Sequence, residues 1–121
     1  MKKKTPSIGV VSMSSIATIK SRNKKEIKLT TERWFHITES HDYMAGYFHE
    51  VLETISNPDH VASGKKEELL AVKFYEKTHI SPKYLIVVYR ERNKEGFVIT
   101  AFMASKIDTI LKRRKVLWRR R

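Results

Sequence analysis

The 121 residues carry 25 Lys/Arg against 13 Asp/Glu, a net charge of +12, with 40% apolar residues and no cysteine. That length suits one compact domain, and the missing cysteines exclude disulfide scaffolds, thiolate metal sites and cysteine nucleophiles together. No apolar run reaches the roughly 18 residues of a spanning helix, and 4 Gly with 3 Pro exclude collagen-like and low-complexity chains.

The charge is unevenly placed. Residues 1–24 hold +6 without an acid, residues 25–104 sum to −1, and residues 105–121 hold +7. A neutral body with basic ends attracts polyanions, nucleic acid first and an anionic membrane surface second. Solvated tails without a dedicated partner would carry the same charge. Met1-Lys2-Lys3-Lys4 followed by Ile8–Ile19 has the outline of a secretory signal. Serines and a threonine interrupt it, however, and no clean small-x-small site precedes Lys20-Ser21-Arg22. Residues 1–24 therefore read as a basic Ser/Thr-rich arm, either loosely ordered or forming an extra strand at Ile8–Met13, and the location as cytoplasmic. Residues 25–111 read as one α+β domain and residues 112–121 as a basic tail.

Along the body, Lys25–Thr30 alternates with period two and predicts a half-buried strand. Thr30 or Thr31 caps a short helix over Glu32–Glu39, with Glu32 in the first turn where the helix dipole favours an anion. Ser40 caps a second helix opening at His41-Asp42. Its stripe, Met44, Phe48, Val51, Leu52 and Ile55, has the helical period, and Asn57-Pro58 ends it. Strands follow at His60–Ala62, Glu68–Lys77, Tyr84–Tyr89 and Phe97–Met103, with Gly96 free to take positive φ in the turn before the last. Connections this short require antiparallel neighbours, and a helical turn at Ile107–Leu111 closes the body. The predicted architecture is two N-terminal helices packed on a four- to five-stranded antiparallel sheet.

Phosphate loops, nucleophile elbows and dinucleotide fingerprints are absent. His49 and Glu53 sit four apart like part of a zinc-protease helix, but two ligands do not make a site, and a solvated helix face explains them. Arg33 and His36 are three apart and share a helix face, and His41 opens the next helix, where a turn brings it back toward them. Imidazole titrates near neutral pH while Arg stays charged, so the trio suits proton transfer beside a phosphate. Thr100, between Val98 and Phe102 on an apolar strand, is either a half-buried β-branched residue or a hydroxyl aimed into a cleft. Tyr89, Arg90 and Lys106 lie at strand ends around the same region.

The run Arg33-Trp34-Phe35-His36-Ile37, His41 at the long helix, Ile55-Ser56-Asn57-Pro58-Asp59, Tyr84–Tyr89 and Phe97–Phe102 resembles the barnase/EndoU/colicin/RelE-like nuclease superfamily. The likeness is closest to its phage-associated branch and covers about residues 25–118. Asp42 stands where that branch often has a proline after the second histidine. The resemblance implies a RelE/barnase-like fold and metal-independent RNA cleavage by attack of a 2′-hydroxyl, without a cofactor. It implies a role as a toxin or phage-conflict nuclease, with an antitoxin or immunity protein as a further partner. On this chain it makes His36 and His41 the acid–base residues, Arg33 the phosphate holder and Thr100 an orienting hydroxyl. Lys106, Arg90 and Tyr89 would contact substrate, and Trp34, Tyr43, Tyr47, Tyr75 and Trp118 are candidates for stacking on bases. The alternative is a nucleic-acid-binding module of the same fold without catalysis.

Overall fold

A computed structural model describes residues 15–93 and 95–121; the strand expected at Ile8–Met13 lies outside them. The element order is β1 (Ser15–Lys20), β2 (Glu26–Thr30), α1 (Thr31–Ser40), a 3₁₀ turn (Asp42–Gly46), α2 (Phe48–Ser56), β3 (His60–Ser63), β4 (Glu68–Tyr75), β5 (Lys83–Arg92), β6 (Glu95–Ala104), α3 (Asp108–Leu111) and β7 (Val116–Arg119).

All seven strands join one sheet in the order β1-β2-β6-β5-β4-β3-β7. The expected small antiparallel sheet under two helices is overturned: the sheet is larger, it is mixed, and strands dominate the chain. Short connections do force antiparallel pairing along β3-β4-β5-β6. β2, however, is separated from β6 by both helices and two hairpins, the long crossover a parallel pair requires. It lies parallel to β6 through Glu26–Lys28 against Glu95–Phe97. β1 and β7 escape sequence reading because β1 adjoins a serine-rich stretch and β7 follows Lys112–Lys115. Long-range partners, β2 and β3, make them strands.

Local chemistry explains the helices. The Thr30 hydroxyl accepts from the Arg33 N–H at 3.1 Å and caps α1. The single long second helix does not form: Ser40 ends α1, and Asp42–Gly46 winds as a 3₁₀ turn before α2. Gly46 is a poor helix-interior residue, costing about 1 kcal/mol relative to Ala. The apolar stripe survives this break, because Met44, Val51 and Ile55 are all fully buried.

Two apolar clusters sandwich the sheet. On the helical face Ile37, Met44, Val51 and Ile55 pack on Ile27, Leu29, Ala71, Leu85, Val87, Tyr89, Val98 and Ala101. On the other face Leu70, Val72, Ile86 and Val88 are covered by Ile107, Ile110 and Leu111 of α3 and its approach. The sheet curls round α2 so far that its two ends meet. Arg22, in the β1–β2 turn, lies 4.0 Å from the Trp118 ring centroid on β7. The C-terminus is anchored rather than loose: Arg120 donates to the carbonyls of Asn57 (3.2 Å) and Pro58 (2.9 Å) and pairs with Asp59 at 3.4 Å.

Gly96 does not adopt positive φ; Asn93 does, at 46°. Gly96 is needed for space, since a Cβ there would stand 1.8 Å from the Arg90 carbonyl oxygen. Gly96→Ala should therefore destabilise the fold by about 2–3 kcal/mol in urea unfolding, as overpacking against backbone does. A second expectation concerns acid. Burial, then the Arg119 charge, lowers the His60 pKa from 6.5, against a smaller opposing effect of Asp59. The folded chain thus resists a proton that the unfolded chain accepts, so stability falls as pH drops through about 6.5 toward the depressed folded value. His60→Gln should flatten that acid limb in denaturation midpoints measured between about pH 5 and 7.

Candidate functional site

The site is built by a bulge and a parallel pair. On β6, Thr100 pairs with Val88 while Val98 pairs with Tyr89, leaving Ile99 as an extra residue. An extra residue reverses the alternation. Phe97, Thr100 and Phe102 therefore share the face away from α2, and Val98 turns into the helix-side core at 1% exposure. The expected grouping of Thr100 with Val98 is thus corrected to Thr100 with Phe97. The parallel register sets Lys28 beside Phe97, and across the sheet Arg90 and Glu68 extend the same row.

Where β2 runs into α1, this face deepens into a groove of about 1070 Å³. Lys28, Arg33 and Arg92 supply its cations, Glu32 and Glu95 its carboxylates, and Phe97 its aromatic surface. Lys28 pairs with Glu95 at 3.1 Å, and the Arg92 guanidinium lies 6.0 Å from the Phe97 ring centroid. Guanidinium groups favour two-point contact with phosphate oxygens, the chemistry that Arg33 and Arg92 bring to the groove.

The sequence-predicted residues divide around this groove. Arg33 lines it. His36 stands one turn further along α1 and does not line the groove; its side chain is 54% exposed and its Nε2 lies 3.9 Å from Glu32, which does. His41 does not join them. Eight residues separate it from Arg33, roughly 12 Å along a helix axis. It instead faces Phe102, ring centroids 6.0 Å apart, with Nδ1 3.4 Å from the Tyr43 hydroxyl. Thr100 is half-buried on the sheet between the groove residue Phe97 and Phe102. Arg90 is half-buried, 3.8 Å from Glu68, with its Nε unpartnered. Lys106 is exposed beyond the end of β6. Tyr89 is fully buried on the helical face, where burial first and the Glu91 charge second push its pKa up, so it offers no surface to a substrate.

The aromatic candidates are mostly engaged. Trp34 packs edge-on against Phe48 at 5.2 Å, and Tyr47 bonds His79 Nδ1 at 2.6 Å. Tyr43 accepts from the Met103 N–H at 3.2 Å, Tyr75 donates to Glu53 at 2.5 Å, and Trp118 lies between Arg22 and Arg120. The Tyr75 bond also occupies the carboxylate of the His49/Glu53 pair. Among the described residues no three His, Asp or Glu side chains cluster as metal ligands, and no helix is long and apolar enough to cross a membrane.

Sequence reading missed Lys28, Glu32, Arg92 and Phe97 as site residues. Glu32 was legible as a first-turn acid, and Lys28 as the polar face of an alternating strand. Their meeting depends on the β2·β6 pairing, which no local pattern encodes.

The model of a family described as "phage-Barnase-EndoU-ColicinE5/D-RelE like nuclease2" matches residues 9–119. No curated protein and no solved structure matches the chain.

If the groove holds phosphate, Lys28→Ala and Arg33→Ala should each weaken binding to poly(U) and make the log–log salt slope shallower by about 0.7 for each phosphate no longer neutralised. Fluorescence titrations at several salt concentrations check this.

Proposed function

Because the chain belongs to this phage barnase/EndoU/colicin/RelE-like nuclease family, we propose that it is a small endoribonuclease that cuts RNA by attack of the 2′-hydroxyl. The observation that carries the reading is the groove itself: Lys28, Arg33 and Arg92 line one recess together with Glu32, and Glu32 lies 3.9 Å from His36.

In this reading the cations hold the scissile phosphate and stabilise the added charge of the phosphorane. Glu32 takes the 2′-hydroxyl proton, and the 2′ oxygen bonds to phosphorus. The bond from phosphorus to the 5′ oxygen breaks, and protonated His36 delivers its proton to that leaving oxygen. The products are a 2′,3′-cyclic phosphate and a 5′-hydroxyl, with no water consumed and no metal required. Thr100 orients the phosphate or the attacking sugar from the sheet, and Arg90 and Lys106 add charge along the chain's path. The RNA substrate fits a cytoplasmic nuclease, and a toxin-like role would pair it with an inhibitor protein.

Cleavage of an end-labelled RNA in EDTA tests the proposal. Wild type should yield cyclic-phosphate ends, and His36→Ala and Glu32→Gln should each slow the cut by about 10²-fold or more, the usual loss for an acid or base. His41→Ala, at the far end of α1, should slow it less. RNA bound but uncut by wild type would transfer the assignment to a non-catalytic binding module.

A further inference from the structure

We infer that the recess between α3 and β7 is a second phosphate-binding site, which holds the RNA strand several nucleotides away from the phosphate being cut. This rests on reading the groove as the site of the reaction. The recess has a volume of about 510 Å³ and is lined by Asp108, Thr109, Leu111, Lys112, Val116 and Arg119. Arg119 pairs with His60 and His60 with Val72, so the three share one row on the face that α3 covers. The groove at Phe97 opens on that same face, toward the other border of the sheet. From β6 to β7 is four strand spacings, roughly 19 Å measured along the sheet.

The charge around the recess is unmatched. Residues 112–121 hold seven Lys/Arg and no Asp or Glu. Arg120 pairs with Asp59 at 3.4 Å and donates to two backbone carbonyls, so it is committed to the fold. Lys112 and Arg119, by contrast, are exposed and have no ion-pair partner among the described residues. Arg114 keeps an enclosed Nε without a hydrogen-bond partner. Asp108 is the sole acid in the lining, and the two cations outweigh it. Their field reaches inward: after burial, the Arg119 charge is the next influence that lowers the pKa of His60. Such a segment of one sign suits successive phosphates of a strand, since each phosphate it neutralises releases counterions. An acidic protein segment would meet the same charge, but a second cationic site on the face that carries the groove favours a ligand long enough to occupy both.

The test uses the full chain with 2′-O-methyl RNA, which lacks the nucleophile and stays uncut. A dinucleotide, with one phosphate, reports the groove alone, whereas a twenty-mer reaches both sites. Lys112→Gln/Arg119→Gln should weaken the twenty-mer about 10-fold at roughly 0.15 M salt and make its log–log salt slope shallower by about 1.4, the counterion release of two phosphates. Dinucleotide affinity should not change, and Lys112→Arg/Arg119→Lys should bind like wild type. The His60 ring, followed by NMR, should titrate at higher pH when the twenty-mer is bound, because a phosphate beside Arg119 offsets its charge. An equal loss with Lys20→Gln/Lys77→Gln, which removes as much exposed charge elsewhere, overturns the proposal in favour of a diffuse field. Unchanged twenty-mer binding also overturns it, and the groove reading stands if Arg33→Ala still weakens the dinucleotide. Dinucleotide affinity unaffected by Lys28→Ala and Arg33→Ala sinks the groove reading itself. A His60 response to polyglutamate as large as the response to RNA overturns the RNA assignment in favour of an acidic protein.

Discussion

The three-residue parallel pairing of β2 with β6 governs everything else in this molecule. It is short because β2 ends at Thr30, whose hydroxyl immediately caps α1. Past that point the border of β6 is left without a strand, and α1 with the 3₁₀ turn closes it instead. The Tyr43 hydroxyl takes the hydrogen bond from Met103 N–H that a neighbouring strand would otherwise accept. One pairing therefore places Lys28 beside Phe97, aims the first turn of α1 over the sheet, and leaves a recess at the junction.

The two faces of the sheet have different duties. The helical face is a closed core, in which even the Tyr89 hydroxyl is buried without a partner. The opposite face is closed by α3 and its approach over Leu70, Val72, Ile86 and Val88, while its end at Lys28, Arg90 and Phe97 keeps charged and aromatic side chains at intermediate exposure. The Ile99 bulge decides which residues go where, since a single extra residue exchanges Val98 for Phe97 on the open face. Bulges near functional surfaces commonly re-aim side chains in this way.

The basic ends are not equivalent either. Part of the C-terminal charge is structural: Arg120 ties the last strand to the Asn57-Pro58-Asp59 corner, and Asp59 in turn accepts from the Phe74 N–H at 2.8 Å. Arg22 and Arg120 both lie against Trp118, so the turn after β1 and the end of β7 hold one ring between them. Net charge taken from composition overstates what is free to meet a polyanion, because such cations are committed to the fold.

The sequence alone determined the elements whose cause is local. Alternation marked β2, turn residues and β-branched or aromatic runs marked β4, β5 and β6, threonine capping and a first-turn acid marked α1, and the stripe from Met44 to Ile55 marked the buried side of the second helical segment. It also carried the family resemblance, and it singled out Arg33. Tertiary structure decided the parallel pairing, the two edge strands, and the separation of His41 from Arg33 by about two helical turns. It also decided the gathering of Lys28, Glu32, Arg92 and Phe97 into one groove. Propensity and periodicity act over a few residues, whereas the register of β2 on β6 joins positions nearly seventy apart. Only the packing of the whole sheet selects it.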